Sequence, residues 1–421
     1  MLDIKFIREN QSLIEEAANK KGFKVNIDKL LELDDKRRAL IRSVEEKKET
    51  QNKTSIKIAG CVKSDERVFL IKDMQEVKDA LQKEEEKLKE ILKEWQAIML
   101  QVPNIPDMSV PDGRTEEDAL EIRRWGEAPK FDFEPKKHTE LMKELDMADF
   151  ERGVKVAGFR GHFLKNDGAL LLFALWKYTF DKLLSKNFIP MIVPSLVRRE
   201  PFIGTGYLPQ GEEDLYKTQD SDYLSGTAEV PTMAYYMNEV LEKKSLPIKF
   251  LSFSSCFRRE AGAYGKETKG LFRVHEFYKV EQVALCEANH EESVKMHEEL
   301  LGNAEELMQG LEIPYRVVIC AAGDTGLGQV KKYDIEAWMA SEKKYRETHS
   351  CSYFHDFQTR RLNIRYKDSD GKLKYAHSLN NTAITARAMI AIIENNQTKE
   401  GSIIVPEALR KYIGKEIIKR D

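Results

Sequence analysis

Between about Asp28 and Leu100, charged residues crowd around a sparse apolar stripe that repeats with a seven-residue step, and no other feature of the chain limits its fold as tightly. Met74, Leu81, Leu88 and Trp95 form one line of the stripe, and Val77, Ile91 and Ile98 the companion line, with Glu84 as the interruption. Such a repeat holds one face of a helix against a partner helix, which is the pattern of a coiled coil. The preceding run carries a weaker version, Leu30 and Val44 on one line and Leu33 and Leu40 on the other, broken by Arg37 and Lys47. Thr54 to Gly60 lies between the runs, and Ser64-Asp65-Glu66 reads as a helix cap with acidic residues in the first turn. Two long helices folded back as an antiparallel hairpin are expected, ~30 residues each and roughly 45 Å long.

The tip of that hairpin is rich in lysine: Lys47, Lys48, Lys53 and Lys57, with Lys63 and Arg67 close by. Alone, such a run reads as a solvated face. A hairpin of this reach has little core of its own, however, so a second reading is that it grips a partner.

Net charge does not name that partner. Lysine and arginine number 68 against 71 acidic residues, a formal charge of -3, so no global basic excess points to nucleic acid. The longest apolar stretches, such as Ala169 to Trp176, fall far short of the ~20 residues a membrane-spanning helix needs. No membrane partner is expected. The start, MLDIKFIREN, mixes charges and has no apolar core with a small-residue cleavage site, so a cytoplasmic protein is expected. The five cysteines, Cys61, Cys256, Cys286, Cys320 and Cys351, are widely spaced with no C-x-x-C pair. Neither a disulfide framework nor zinc is indicated.

Val102-Pro103-Asn104-Ile105-Pro106-Asp107, then Pro111, Asp112 and Gly113, end the helical pattern. The expected division is an arm over 1–102, a linker over 103–135 and a second domain over 136–421. An apolar helix from about Ala169 to Ser185 leads into Ile189-Pro190-Met191-Ile192-Val193-Pro194. Beyond it, Ile248 to Cys256, Val274 to Leu285, Tyr315 to Cys320, Lys332 to Trp338 and Arg361 to Tyr366 alternate apolar and polar residues as strands do. Regular crossover helices are missing between them, so the class is α+β with a mainly antiparallel sheet.

Neither a P-loop nor a G-x-G-x-x-G turn occurs, and three clusters carry the candidate chemistry. In the first, Cys256 to Glu260 and Phe272 to Glu281 read as two strands joined by a long basic loop containing Lys266 and Lys269, with Arg258, Glu260, Phe277 and Glu281 near the strand ends. Guanidinium groups there suit a phosphate or carboxylate, and an aromatic ring suits a base; cross-strand ion pairs on a surface hairpin are the alternative. In the second, Thr382 to Asn395 is apolar enough for a buried helix, yet Arg387 lies inside it and demands an anion, either an internal carboxylate or a ligand. In the third, Tyr345 to Ser352 places Glu347 near Ser350, an oxygen set that suits magnesium. Its Ser/His/Cys juxtaposition is a weak nucleophile signal, because neighbours on a strand point opposite ways.

Together these residues resemble a known family. Phe257-Arg258-Arg259-Glu260 with Val274-His275-Glu276-Phe277 resembles the second signature motif of class II aminoacyl-tRNA synthetases. Asn380 to Asn395 with Arg387 resembles the third, and Ile189 to Pro194 the first. Within the class, the likeness is to the seryl-tRNA synthetases over nearly the whole chain. The opening ten residues, the arm, Pro103 to Pro106, Gly204-Thr205-Gly206, Thr227-Ala228-Glu229-Val230-Pro231, Asp356-Phe357-Gln358, and Gly401-Ser402 through Val405-Pro406 follow in that family's order.

The resemblance implies an ATP- and magnesium-dependent ligase that makes seryl-adenylate and passes the seryl group to the 3′-terminal adenosine of tRNA(Ser), with tRNA(Sec) a further acceptor to consider. It implies Arg258, Glu347 and Arg387 as catalytic, with Arg258 between the serine carboxylate and the α-phosphate and Arg387 on the γ-phosphate. ATP contacts would extend over Arg259, Glu260, Val274, Phe277, Thr348, His349 and Ser350, and magnesium would lie at Glu347 and Ser350. L-serine would meet Thr227, Ala228, Glu229, Arg258, Glu281 and Thr382. The tRNA would meet Lys47, Lys48, Lys53 and Lys57 on the arm, through its long variable arm, and Lys266 and Lys269 near its acceptor end. A homodimer is implied, with each arm serving the other subunit's tRNA. Two departures stand out: Glu347-Thr348-His349-Ser350 replaces the usual Glu-Ile-Ser-Ser, and Asn380-Asn381-Thr382 replaces Asn-Gly-Ser. Neither removes an expected charge, so they bear on substrate detail more than on reaction type. The alternatives are an adenylate-forming paralogue for another small amino acid or acceptor, and a non-catalytic tRNA-binding protein. The long arm argues against a carrier protein as acceptor, and the mark of a non-catalytic protein, a lost ATP-site arginine, is not seen.

Overall fold

The seven-residue stripe folds as a helical hairpin. In a computed structural model, which describes residues 1–262 and 270–420, α1 (Ile27–Gly60) and α2 (Ser64–Met99) run 34 and 36 residues. Asn26 caps α1 by accepting from the Lys29 amide at 2.8 Å. The helix continues through Thr54 to Gly60, so the turn shrinks to residues 61–63, and Lys63 rather than Ser64 takes the cap position, without a side-chain bond. Leu30, Leu33 and Val44 of α1 and Leu81 of α2 are buried.

Two of the three interruptions in the stripe answer each other. Lys47 and Glu84, one from each helix, pair at 3.1 Å. Arg37 pairs with buried Asp34 at 2.7 Å, and its guanidinium carbon lies 4.6 Å from the Trp95 ring centre. Near the tip, Lys48 pairs with Glu85 at 2.7 Å and Lys53 with Glu49 at 2.5 Å. Ile56, Val62 and Phe69 are exposed there too, so the tip is both basic and apolar.

By its internal contacts the chain divides into two compact units: Asp3–Asn19 with Phe23–Val102, and Met1–Leu2, Lys20–Gly22 and Pro103–Asp421. The second is built on an eight-stranded sheet of β1 (Leu120–Trp125), β2 (Ile189–Ile192), β3 (Ile248–Phe257), β4 (Glu276–Cys286), β5 (Tyr315–Ile319), β6 (Lys331–Met339), β7 (Lys344–Tyr353) and β8 (His377–Thr385). Their spatial order is β1-β5-β6-β7-β8-β4-β3-β2. Edge strand β2 joins β3 in parallel, and the other neighbours are antiparallel.

Helices α3 (Asp167–Leu183), α4 (His290–Gly310) and α5 (Ala386–Asn395) share one apolar core with the sheet. Strand alternation explains the layering. In β4, Val280 and Ala284 enter that core, and Gln282 donates to the Leu300 carbonyl of α4 at 3.1 Å. Among the described residues, no helix is long and apolar enough to cross a membrane.

Two expected elements change character. The segment expected as a strand over Arg361 to Tyr366 is the end of a short helix, Phe357–Leu362, followed by Arg365–Lys367 in a separate three-stranded sheet. The segment expected as a helix from Thr382 is strand as far as Thr385, because its polar residues pair across to β4; the helix starts at Ala386 with Thr385 as its cap. Arg387 therefore lies in the first helical turn.

His297 and His349 are fully buried in this unit, and burial lowers both to about 4. His297 stacks on Tyr333 with ring centres 4.7 Å apart. Both imidazoles fold as neutral rings, whereas an unfolded histidine takes a proton at about pH 6.5. The unfolded chain thus binds more protons between the two values, so stability is complete above about pH 6.5 and falls as pH drops toward 4, by up to about 3 kcal/mol for each ring. Denaturant unfolding at pH 7 and pH 5 should show this loss, and His349→Gln should flatten the pH dependence.

Candidate active site

On the other face of β4, Phe277, Lys279 and Glu281 project at two-residue steps into a cleft of about 850 Å³, its open mouth included. Their partners on β3 are Cys256, Ser254 and Ser252, small side chains that leave room above the sheet. Glu281 lies in mid-strand rather than near an end.

Two irregularities bring further residues to this face. Between β4 and β8 the register shifts so that Glu281 opposes Thr382 while Val280 opposes Ile384, which makes Ala383 an extra residue. Asn380, Thr382 and Thr385 all reach the cleft as a result. A second shift, between β6 and β7, makes Thr348 the extra residue, and Glu347, Thr348 and Ser350 line the cleft. His349 does not: it lies beneath the wall, with Nδ1 2.8 Å from the Thr348 hydroxyl and Nε2 donating to the Ala383 carbonyl at 3.1 Å.

Four carboxylates and four cations stand on the wall, namely Glu229, Glu260, Glu281 and Glu347 with Arg258, Arg273, Lys279 and Arg387. Three pairs form among them. Arg387 donates to Glu347 Oε2 at 3.2 Å and to the Glu347 carbonyl at 3.0 Å. This offsets the poor placement of a cation at the positive end of a helix. Desolvation in the cleft pushes the Glu347 carboxyl up, but Arg387, Lys332 and Arg258 together hold it below its ordinary value. Arg273 pairs with Glu260 at 2.6 Å, and Glu260 turns the chain with a left-handed φ of 55°. Lys279 contacts Glu281, and both are buried. Lys279 Nζ also donates to Thr227 Oγ1 at 3.0 Å, and that hydroxyl meets Glu281 Oε2 at 3.2 Å.

Glu229 and Arg258 remain. Among the described residues, neither makes an ion pair. Glu229 is buried and accepts from Tyr207 Oη at 2.8 Å and Gln358 Nε2 at 2.6 Å, both neutral. Burial pushes its carboxyl up, against the pull of the Gln358 bond. The Arg258 side chain donates from Nε to the Gly226 carbonyl at 3.3 Å, with its guanidinium carbon 5.3 Å from the Phe277 ring centre. The cleft thus offers one anion and one cation to a ligand.

The structure brings Thr227, Glu229, Arg258, Glu260, Val274, Phe277, Glu281, Glu347, Thr348, Ser350, Thr382 and Arg387 to one cleft. Ala228, Arg259 and His349 are outside its lining. Lys266 and Lys269 fall outside the described residues, and Lys47, Lys48, Lys53 and Lys57 are on α1. Tyr207, Phe272, Lys279 and Gln329 also line the cleft without having been singled out from the sequence. Lys279 was within reach of sequence reasoning, since it is two residues from both Phe277 and Glu281 on an alternating strand. Tyr207 gave no signal, because only the fold carries it to Glu229.

Glu347 and Ser350 present oxygens alone, a donor set that fits a hard divalent cation keeping some of its waters. Elsewhere, the group of three potential metal ligands found among the described residues is Cys320, Asp324 and Asp334. There the Lys332 ammonium already lies 3.1 Å from Asp324 and 3.4 Å from Asp334.

Comparisons with known proteins agree with this geometry. Residues 214–396 match the tRNA synthetase class II core domain (G, H, P, S and T), and residues 1–106 match the seryl-tRNA synthetase N-terminal domain. The serine–tRNA ligase of Deinococcus radiodurans is 45% identical over 416 residues, 98% of each chain. The crystal structure of seryl-tRNA synthetase from Pyrococcus horikoshii complexed with ATP aligns over 100% of both chains at 38% identity and a TM-score of 0.91. The cytoplasmic serine–tRNA ligase of Naegleria fowleri in complex with AMP aligns over 100% of this chain and 99% of its own, at 34% identity and a TM-score of 0.86. Sheet, cleft and core-domain match together define a class II aminoacyl-tRNA synthetase. Within that class, the chain belongs to the seryl-tRNA synthetase family.

The buried pair sets a stability test. Lys279→Met or Glu281→Gln alone strands a buried polar partner and should cost about 3 kcal/mol, while the double variant should recover much of that loss. Denaturant unfolding of the four proteins in the cycle measures the coupling.

Proposed function

We propose that the protein is a serine–tRNA ligase whose cleft recognises the amino acid through the two charges it leaves unpaired. A free amino acid carries one ammonium and one carboxylate, and Glu229 and Arg258 complement them. That match is the observation on which the reading stands.

In the first step the serine carboxylate attacks the α-phosphorus of ATP, giving seryl-adenylate and pyrophosphate. In the second, the 3′-terminal adenosine of tRNA(Ser) takes the seryl group and AMP leaves. Neither step needs a covalent bond to the enzyme, so the chain acts by positioning and by neutralising charge. Glu229 and Thr227 hold the ammonium. Arg258 bridges the carboxylate and α-phosphate, and Phe277 stacks on adenine with Glu260 and Val274 beside it. Arg387 exchanges Glu347 for the γ-phosphate, which the α5 N-terminus also favours. Glu347 and Ser350 would then hold magnesium, which neutralises phosphate charge when bound. Arg259, Ala228 and His349 support these residues from outside the lining.

The hydroxyl of serine falls to Glu281 and Thr382, which oppose each other across β4 and β8. A site built to hydrogen-bond a hydroxyl rejects analogues without one strongly, because its buried polar groups are left unpaired. This argues against a paralogue for alanine or glycine. The arm over 1–102 takes the long variable arm of the tRNA through its Lys-rich, partly apolar tip, residues 103–135 run on into the catalytic part and supply its sheet with β1, and Lys266 and Lys269 meet the acceptor end. A homodimer is favoured by edge strand β2, where Ile189 is 48% and Ile192 86% exposed, and by Leu170 and Phe173 on α3, at 47% and 61%.

Serine-dependent pyrophosphate exchange followed by charging of tRNA(Ser) tests the activity, with glycine, alanine and threonine as comparisons; exchange with another amino acid in preference to serine would refute it. Arg387→Ala should lower the adenylation rate by roughly 10²–10³, the usual loss on removing one preorganised donor. For the dimer, Ile192→Asp should yield monomers in sedimentation velocity.

A further inference from the structure

The pair Lys279–Glu281 does more than fill space. Serine and its close analogues share the same ammonium and carboxylate, so selection among them falls to the end of the site that meets the side chain. That end holds Glu281, and a bare carboxylate there would take a second ammonium more strongly than a hydroxyl, because charge-assisted hydrogen bonds are the stronger kind. Yet Glu281 is not bare. Lys279, 7% exposed, contacts it and donates to Thr227 at 3.0 Å.

We infer that Lys279 is the residue that makes this end of the site selective for a hydroxyl, by cancelling the charge of Glu281, and that it excludes L-2,3-diaminopropionate, the isostere of serine with a β-ammonium in place of the hydroxyl. The inference rests on the ligase reading above and deepens it. Glu229, with neutral partners, has no counter-charge until the α-ammonium enters, while Glu281, with a cationic partner, keeps only its hydrogen-bonding capacity. Two carboxylates of one pocket thereby acquire different tasks. A β-ammonium entering beside Lys279 meets a like charge in a desolvated site, and repulsion of this kind discriminates by exclusion.

The groups around Lys279 permit a clean reading with pH. Glu281 is on its own strand, Thr227 and Glu229 come from the segment before β3, Cys256 and Arg258 from the end of β3, and His349 acts on it from β7. Burial raises the Cys256 thiol above its ordinary value and lowers His349 to about 4. Both therefore stay uncharged from about pH 6 to pH 8, near the range in which the ligand, whose two neighbouring ammonium groups lower each other, gives up its first proton. Dividing by the serine rate at each pH cancels titration of the enzyme's own groups, which both substrates meet.

The experiment is pyrophosphate exchange with L-serine and with L-2,3-diaminopropionate from about pH 6 to pH 8, on the full chain, its Lys279→Met variant and its Lys279→Arg variant. In the wild type, the diaminopropionate-to-serine ratio should rise with pH as the ligand becomes neutral. Lys279→Met should raise that ratio at least ~10-fold at the acid end, and Lys279→Arg should keep it near wild type. A merely structural lysine would lower both rates and leave the ratio alone, which would overturn the inference. A flat wild-type ratio overturns it too, without any variant, so a poorly folding Lys279→Met protein does not shield it. Normal serine exchange with either result leaves the ligase reading standing; absent serine exchange removes both.

Discussion

A strand has two faces, and β4 uses them for opposite tasks. Val280, Gln282 and Ala284 face the helices and core, while Phe277, Lys279 and Glu281 face the cleft. This strict alternation fixes the rest of the catalytic unit. Slipping β4 by one residue would bring a lysine and a glutamate into the core and an apolar surface into the site. The neighbours conform to the same face: β3 contributes small serines and a cysteine beneath the long side chains, and β7 and β8 each insert one extra residue to bring their polar groups round. The bulges at Thr348 and Ala383 are where a regular sheet gives way to the needs of the site.

Charge in the cleft is organised by pairing. Glu347 with Arg387, Glu260 with Arg273, and Glu281 with Lys279 balance one another, and each pair orients two side chains that would otherwise be mobile or expensive to bury. Glu229 and Arg258, which form no ion pair among the described residues, gain their meaning from this background. An isolated carboxylate among neutral donors attracts a cation, and an arginine held by one carbonyl and an aromatic face attracts an anion. The hairpin follows a similar rule at lower stakes, with Lys47 facing Glu84 where the apolar seam breaks.

Much of this was legible in the sequence, for reasons that differ along the chain. The seven-residue stripe is a one-dimensional signal, and it foretold the hairpin, including the interruptions that the fold pairs together. The cleft was legible as three clusters, because Arg258, Glu347 and Arg387 each lie in a short run with unusual chemistry. What escaped was what periodicity cannot encode. An apolar run from Thr382 to Asn395 reads as one helix unless the pairing of Thr382 with Glu281 is known. His349 reads as part of the cleft lining unless the bulge at Thr348 is known, since that extra residue decides which side chains face the cleft. Tyr207 and Gln358 reach Glu229 from 22 and 129 residues away, a distance that no local pattern spans.

The position of β8 also dictates an order of assembly. In the sheet it lies between β7 and β4, and so joins the half made of β1, β5, β6 and β7 to the half made of β4, β3 and β2. It is also the last of the eight strands to leave the ribosome, at residues 377–385. Each half can pair within itself as synthesis proceeds, but strand pairing joins the two through this final strand, after loops that are slow to close. Thr382 and Arg387 arrive with it. The cleft is therefore complete only when the sheet is whole: a chain that stops before this strand lacks Asn380, Thr382, Thr385 and Arg387, and with them one wall of the cleft.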